Sequence, residues 1–220
     1  MHTRFKICCI QSREEAALAI KAGASALGLV AAMPSGPGVI EETHIADIAR
    51  QVPPGVSTFL LTSETEPSRI AAQWRRCLTT TIQCCDHLDI AAHAELAALV
   101  PGVKRVQVVH VVDEASATYA LSIAPHVHAL LLDSGRLDRA VKELGGTGRV
   151  HDWALSCRIR EASPVPVFLA GGLNPANVAD AMTVVRPFGL DICSGVRTDG
   201  ALDAVKLAAF SRAVREWGAT

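Results

Sequence analysis

No stretch of roughly 18 residues in this chain is free of both charges and helix breakers, which excludes an apolar membrane-spanning helix. Neither sign of charge dominates. Among 220 residues, 21 are Lys or Arg and 22 are Asp or Glu, with no basic stripe, so neither nucleic acid nor a lipid surface is expected as a partner. The opening Met1-His2-Thr3-Arg4-Phe5-Lys6 meets charge at once and holds no long apolar run, so no signal peptide is expected and the setting is read as cytoplasmic. Aromatic residues are scarce at 4%, yet 50% of the chain is hydrophobic and only 20% charged, which excludes disorder.

The seven cysteines include no Cys-x-x-Cys pair. Cys8-Cys9 and Cys84-Cys85 are sequence neighbours, a poor geometry for an ordinary disulfide, and most of the seven lie in apolar runs. They read as small hydrophobes in a reducing compartment. The pair His126-x-His128 finds no Cys or acidic cluster to complete a tetrahedral set, so no metal is expected.

What is present is alternation. Short apolar or β-branched runs fall at Phe5–Ile10, Ala26–Val30, Ser57–Thr62, Thr80–Cys84, Arg105–Val109, Ala129–Asp133, Val165–Ala170 and Leu190–Cys193. Between them lie alanine-rich segments with apolar residues at helical spacing. Ser12 and Glu15 predict a capping box, with the first helix stopping near Gly23. Asn174-Pro175 predicts a capped helix with Val178, Met182 and Val185 on one face, and Leu207, Phe210, Val214 and Trp217 form the stripe of the last. Eight strand–helix units without a linker predict one α/β domain over residues 1–220, a (β/α)8 or TIM barrel. A doubly wound open sheet is the competing fold, but Cys8-Cys9-Ile10-Gln11-Ser12 lacks the glycine fingerprint it needs after its first strand.

Such barrels place chemistry at the C-terminal strand ends. The polar residues expected there are Cys8, Gln83, Cys85, His110 and Asp133, then Gly171-Gly172 and Ser194-Gly195. The last two pairs follow strands seven and eight, where backbone N–H groups commonly hold phosphate, and Asn174 is placed with them. Gly145-Gly146-Thr147-Gly148 imitates a nucleotide loop, but Arg149-Val150 follows it where Lys-Ser or Lys-Thr is required. A carboxyl at the rim of Ala-Leu-Leu-Leu-Asp133 is desolvated, which raises its pKa and suits it to acid catalysis. Strand alternation sends Lys6 and Cys8 into the barrel and Ile7 and Cys9 toward the helices. Lys6 is expected to pair with Asp191.

Several of these segments together resemble the phosphoribosylanthranilate isomerase family. The segments are Lys6-Ile7-Cys8-Cys9-Ile10, Leu131-Leu132-Asp133-Ser134, Gly145–Gly148 with Asp152-Trp153, Leu169-Ala170-Gly171-Gly172-Leu173-Asn174-Pro175-Ala176-Asn177-Val178, and Gly189-Leu190-Asp191-Ile192-Cys193-Ser194-Gly195-Val196. The resemblance implies an Amadori rearrangement of a phosphosugar in tryptophan biosynthesis, by a monomer or homodimer, without metal or organic cofactor. It implies Asp133 as general acid and Cys8 as general base. The chain departs from the family pattern in four places. Cys9 replaces a glycine. Met33-Pro34-Ser35-Gly36-Pro37-Gly38 replaces a Ser-Pro-Arg whose arginine is expected to hold the anthranilate carboxylate. Gln83-Cys84-Cys85-Asp86 stands for Gln-Leu-His-Gly, and Arg197 for a glutamate. Arg197 and His110 are the expected substitutes for the missing cation. A paralogue acting on another phosphosugar, and a non-catalytic phosphosugar-binding barrel, remain the alternatives.

Overall fold

Short aliphatic runs bounded by helix caps build eight parallel strands, each buried on both faces as a strand flanked by crossover helices must be. The computed structural model describes residues 3–134 and 152–218. The strands are β1 (Arg4–Ile7), β2 (Ala26–Val30), β3 (Ser57–Thr62), β4 (Thr81–Cys84), β5 (Lys104–His110), β6 (Ala129–Asp133), β7 (Val167–Leu169) and β8 (Gly189–Ile192). They pair in chain order, and β8 returns to pair with β1, with Lys6 beside Asp191, which closes the barrel. The helices are α1 (Arg13–Lys21), α2 (Glu42–Gln51), α3 (Pro67–Cys77), α4 (Ile90–Leu99), α5 (Glu114–Ile123), α6 (Trp153–Ala162), α7 (Val178–Val185) and α8 (Ala204–Trp217). An antiparallel ribbon of β9 (Arg197–Thr198) and β10 (Ala201–Leu202), absent from the sequence expectation, precedes α8.

Period-two alternation divides the core into two layers. Ala26, Val30, Phe59, Leu61, Val106, Val108, Leu131 and Phe168 pack with one another inside the barrel. Leu27, Leu29, Leu60, Leu130, Leu132 and Leu190 pack outward against the helices. On α8 the expected stripe is real: Leu207, Phe210 and Val214 are buried, and Phe210 meets the edge of Phe5 at 5.7 Å.

Three local expectations are corrected. The first strand stops at Ile7 rather than Ile10, because Cys9 adopts a left-handed φ of 61° that no strand accommodates. The helix expected from Asn174-Pro175 begins instead at Val178, since the Asn174 side chain accepts from the Ala176 and Asn177 N–H groups and makes a separate turn first. Ser12 caps α1 by accepting from Glu15 N–H at 3.2 Å, but the Glu15 carboxylate accepts from Gln11 N–H, so the box is only half made. The Gly145–Gly148 loop and Arg149-Val150 lie outside the described residues.

Candidate active site

Gly28 occupies an interior position of β2, and its missing side chain is what makes room for the centre of the site. A Cβ there would lie 3.0 Å from Lys6 Nζ and 3.1 Å from Cys8 Sγ. Lys6 is fully buried and donates to Asp191 Oδ1 at 2.8 Å, as the sequence predicts, with its ammonium 5.5 Å from the Phe59 ring centre. Burial works against that charge, but the Asp191 carboxylate outweighs it and keeps Lys6 protonated. A buried ion pair therefore sits beside the Cys8 sulfur. Cys8 itself is anchored where β1 ends, its N–H donating to Ile192 carbonyl at 2.8 Å.

Cys8, Gln83, Asp133, Gly171, Gly172, Asp191 and Ser194 all line one cavity at the C-terminal mouth of the barrel. Asp133 is buried, and that burial pushes its carboxyl above the ordinary range, with Asp191 adding to the effect. The His110 and Lys6 charges and the Ser134 N–H, which donates to Asp133 Oδ1 at 2.7 Å, oppose the rise without cancelling it. Gln83 is buried, and its Oε1 has no partner among the described residues. At the far end Gly171 and Gly172 take φ of 80° and 64°, which turn the chain sharply beneath the cavity. Ser194 opens a short 3-10 turn, Ser194–Val196, on the neighbouring loop.

Five expected residues stand elsewhere, and the first, Cys85, is buried without lining the cavity. Gly195 does not line the cavity; a Cβ there would overlap the Leu173 carbonyl and lie 3.0 Å from Asn174 Cα, so it is glycine because two loops touch. Asn174 is also outside the lining, where its amide and that of Asn177 donate to Gly172 carbonyl and brace the glycine turn. His110 lines a separate surface groove with His87 and Tyr119, its ring 3.0 Å from Cys85 carbonyl. Arg197 is buried against Glu15, with two contacts of 3.0 Å, and donates to the carbonyls of Cys8, Cys9 and Gly200. It is committed to holding the chain and is not available to a substrate carboxylate. Among the described residues lining the cavity there is no Arg, Lys or His.

Cys9 is corrected as well. Its left-handed backbone turns it into the cavity lining rather than toward the helices, and its Sγ lies 3.7 Å from Cys8 Sγ. Cys193, which sequence reasoning passed over, lines the same cavity, and the two-residue step from inward-facing Asp191 is the signal that marks it. The walls toward Val30, Met33, Pro37 and Leu61 are apolar.

A closed parallel barrel with its cavity at the C-terminal strand ends defines the class, a (β/α)8-barrel enzyme. The family model for N-(5'-phosphoribosyl)anthranilate (PRA) isomerase matches residues 5–213, and the chain belongs to that family. It is 35% identical over 210 residues to N-(5'-phosphoribosyl)anthranilate isomerase of Halobacterium salinarum, covering 94% of each. Against the isomerase 2 of Methanosarcina mazei it is 32% identical, covering 94% of this chain and 92% of the relative. The phosphoribosyl anthranilate isomerase structure from Thermotoga maritima superposes with a TM-score of 0.82 at 28% identity, covering 97% of this chain and 99% of that one. A structure of such an isomerase in complex with reduced 1-(o-carboxyphenylamino)-1-deoxyribulose 5-phosphate gives 0.80 at 27% identity, with the same coverage.

Proposed function

We propose that Asp133 and Cys8 are the general acid and general base with which this chain, an isomerase of tryptophan biosynthesis, rearranges N-(5'-phosphoribosyl)anthranilate. Asp133 donates its proton to the ribose ring oxygen as the bond from that oxygen to C1 breaks, leaving a protonated Schiff base. Cys8, as thiolate, removes the C2 proton, and the electron pair moves to give an enolamine. Tautomerisation then yields the 1-(carboxyphenylamino)-1-deoxyribulose 5-phosphate. The observation that supports this most is that one raised-pKa carboxyl and one thiol face a single cavity, the pairing that acid–base isomerisation at neutral pH requires.

The phosphate is assigned to the N–H groups of Gly171 and Gly172 together with Ser194, at the end of the cavity formed by the last two strand loops. The aromatic ring is assigned to the wall of Val30, Met33, Pro37 and Leu61. We assign the reaction to the cytosol, with a small phosphosugar rather than nucleic acid or membrane as its partner. Among the described residues no helix is long and apolar enough to cross a membrane.

One observation favours a second reading, action on another phosphosugar: the described cavity lining offers no cation to a substrate carboxylate. The experiment that separates the two is complementation of a tryptophan auxotroph lacking this isomerase. Growth without tryptophan is the expected result. No growth from a chain that is expressed and folded favours the other phosphosugar.

A further inference from the structure

Three thiols crowd the cavity, and the acid–base reaction uses one of them. Cys9 Sγ lies 3.0 Å from Cys193 Sγ and 3.7 Å from Cys8 Sγ. All three are free thiols, Cys8 and Cys9 buried and Cys193 partly exposed. We propose that Cys9 and Cys193 form a reversible disulfide in the presence of low-molecular-weight disulfides, and that closing it shuts the isomerase site.

The geometry selects this pair. An S–S bond of about 2.05 Å needs the two sulfurs to approach by about 1 Å. Cys8 and Cys9 are farther apart, and neighbouring residues close a disulfide only with backbone distortion. Cys84 and Cys85, in strand β4 and just beyond it, are buried and do not line the cavity. The hydrogen bond between the two sulfurs lowers Cys193 and raises Cys9, and the Arg197 guanidinium supports Cys193 further, although burial opposes it. Cys193 is therefore the attacking thiolate.

The exchange balances in two steps. Cys193 thiolate attacks one sulfur of the external disulfide and expels a thiolate. Cys9 then loses its proton and attacks Cys193 sulfur in the mixed disulfide, expelling the second thiolate. The external disulfide is reduced by two electrons, and the two protein thiols are oxidised by two, their protons passing to the released thiolates. Cys9 is bonded to Cys8 in sequence and Cys193 to Ser194, so closure displaces the base and the phosphate loop together. In a reducing compartment both thiols stay reduced and the enzyme stays open.

The test treats the reduced full chain with bis(2-hydroxyethyl) disulfide and reads intact mass, peptide mapping and turnover. The expected product has lost two hydrogens, links Cys9 to Cys193, has lost its turnover and regains it with dithiothreitol. Residues 7–13 contain both Cys8 and Cys9, so fragmentation between them is needed to name the partner. The Cys8→Ser chain should form the same link, and Cys193→Ala should lose no pair of hydrogens and form no link through Cys9. The link is read by mass and so does not depend on which phosphosugar the site accepts. Retention of all thiols, a link through Cys8 in place of Cys9, or a Cys9–Cys193 link with unchanged turnover would overturn the proposal.

Discussion

Cys9 and Gly38 share one space at the barrel mouth: a Cβ on Gly38 would overlap the Cys9 Cβ and lie 3.2 Å from its Sγ. Two departures from the family pattern are thereby one. The resemblance to the family implies glycine at position 9 and an arginine in the loop after β2; here the loop supplies the glycine that admits the Cys9 side chain. Gly38 also takes φ of 81°. Gly38→Ala is therefore expected to cost about 1–3 kcal/mol, from backbone strain together with the clash. Cys9→Gly removes the Cβ and Sγ contacts but leaves the Cys9 Cα 2.9 Å away and the strain at position 38, so the double variant should recover only part of the loss. Urea unfolding of the four chains measures this, and simple additivity would show that the two positions do not meet.

Arg197 is a strut rather than a substrate contact. Its partner Glu15 is held below the ordinary carboxyl range despite burial, by Arg197 and by the N–H groups of Leu202 and Gln11. Arg197→Met leaves that carboxylate without its counter-charge, and because Glu15 is only partly buried and keeps the Gln11 and Leu202 N–H donors, the cost should fall below the roughly 3–5 kcal/mol of a fully buried pair. It also releases the carbonyls of Cys8 and Cys9, so kcat should fall more than KM rises. Thermal unfolding with steady-state kinetics reads both. A stable variant with only a raised KM would return Arg197 to the substrate.

His93 on α4 is fully buried, 2.9 Å from Gln107 Oε1, and burial pushes it down to about 4. Its unfolded form titrates near 6.5, so the neutral folded form loses stability as pH falls from 6.5 to 4, and none above that window. The loss from this residue should reach about 3 kcal/mol at the acid end. His93→Gln keeps a hydrogen-bonding side chain without titrating, so its denaturation midpoint should be flatter over that window. Parallel curves for parent and variant would contradict this.

The loop Met33–Gly38 gives an aromatic carboxylate no charged donor, and Pro37 lacks even an N–H. A charge-assisted hydrogen bond is worth about 1.5–3 kcal/mol, or roughly tenfold or more in affinity. Pro37→Arg is accordingly expected to lower KM for phosphoribosylanthranilate by about that factor with kcat little changed, since the contact serves ground and transition states alike. An unaltered KM would show the carboxylate already held by another group.

The barrel was legible because burial on two faces writes itself as eight short, largely apolar or β-branched runs separated by helical segments, and strand ends such as Asp133 and Gly171-Gly172 then locate the cavity. Alternation also placed Lys6 against Asp191 correctly. It failed at Cys9, whose left-handed backbone ends the strand and breaks the alternation there. Asn174, Gly195 and Arg197 looked like ligand contacts because polar and glycine residues near a strand end serve equally well to pack and brace loops. That distinction depends on tertiary neighbours such as Glu15, Gly172 and Leu173, which are distant or unpatterned in sequence.

The central claim is that Cys8 and Asp133 move the protons of the reaction. It is tested most directly by kcat of Cys8→Ser and Asp133→Asn on phosphoribosylanthranilate, with affinity for reduced 1-(o-carboxyphenylamino)-1-deoxyribulose 5-phosphate measured on the same folded preparations. Each variant should lose roughly 10²–10⁴ in kcat, the usual contribution of one proton-transfer group, while binding the analogue about as well as the parent. A folded Cys8→Ser or Asp133→Asn chain with the parent's turnover would contradict the assignment.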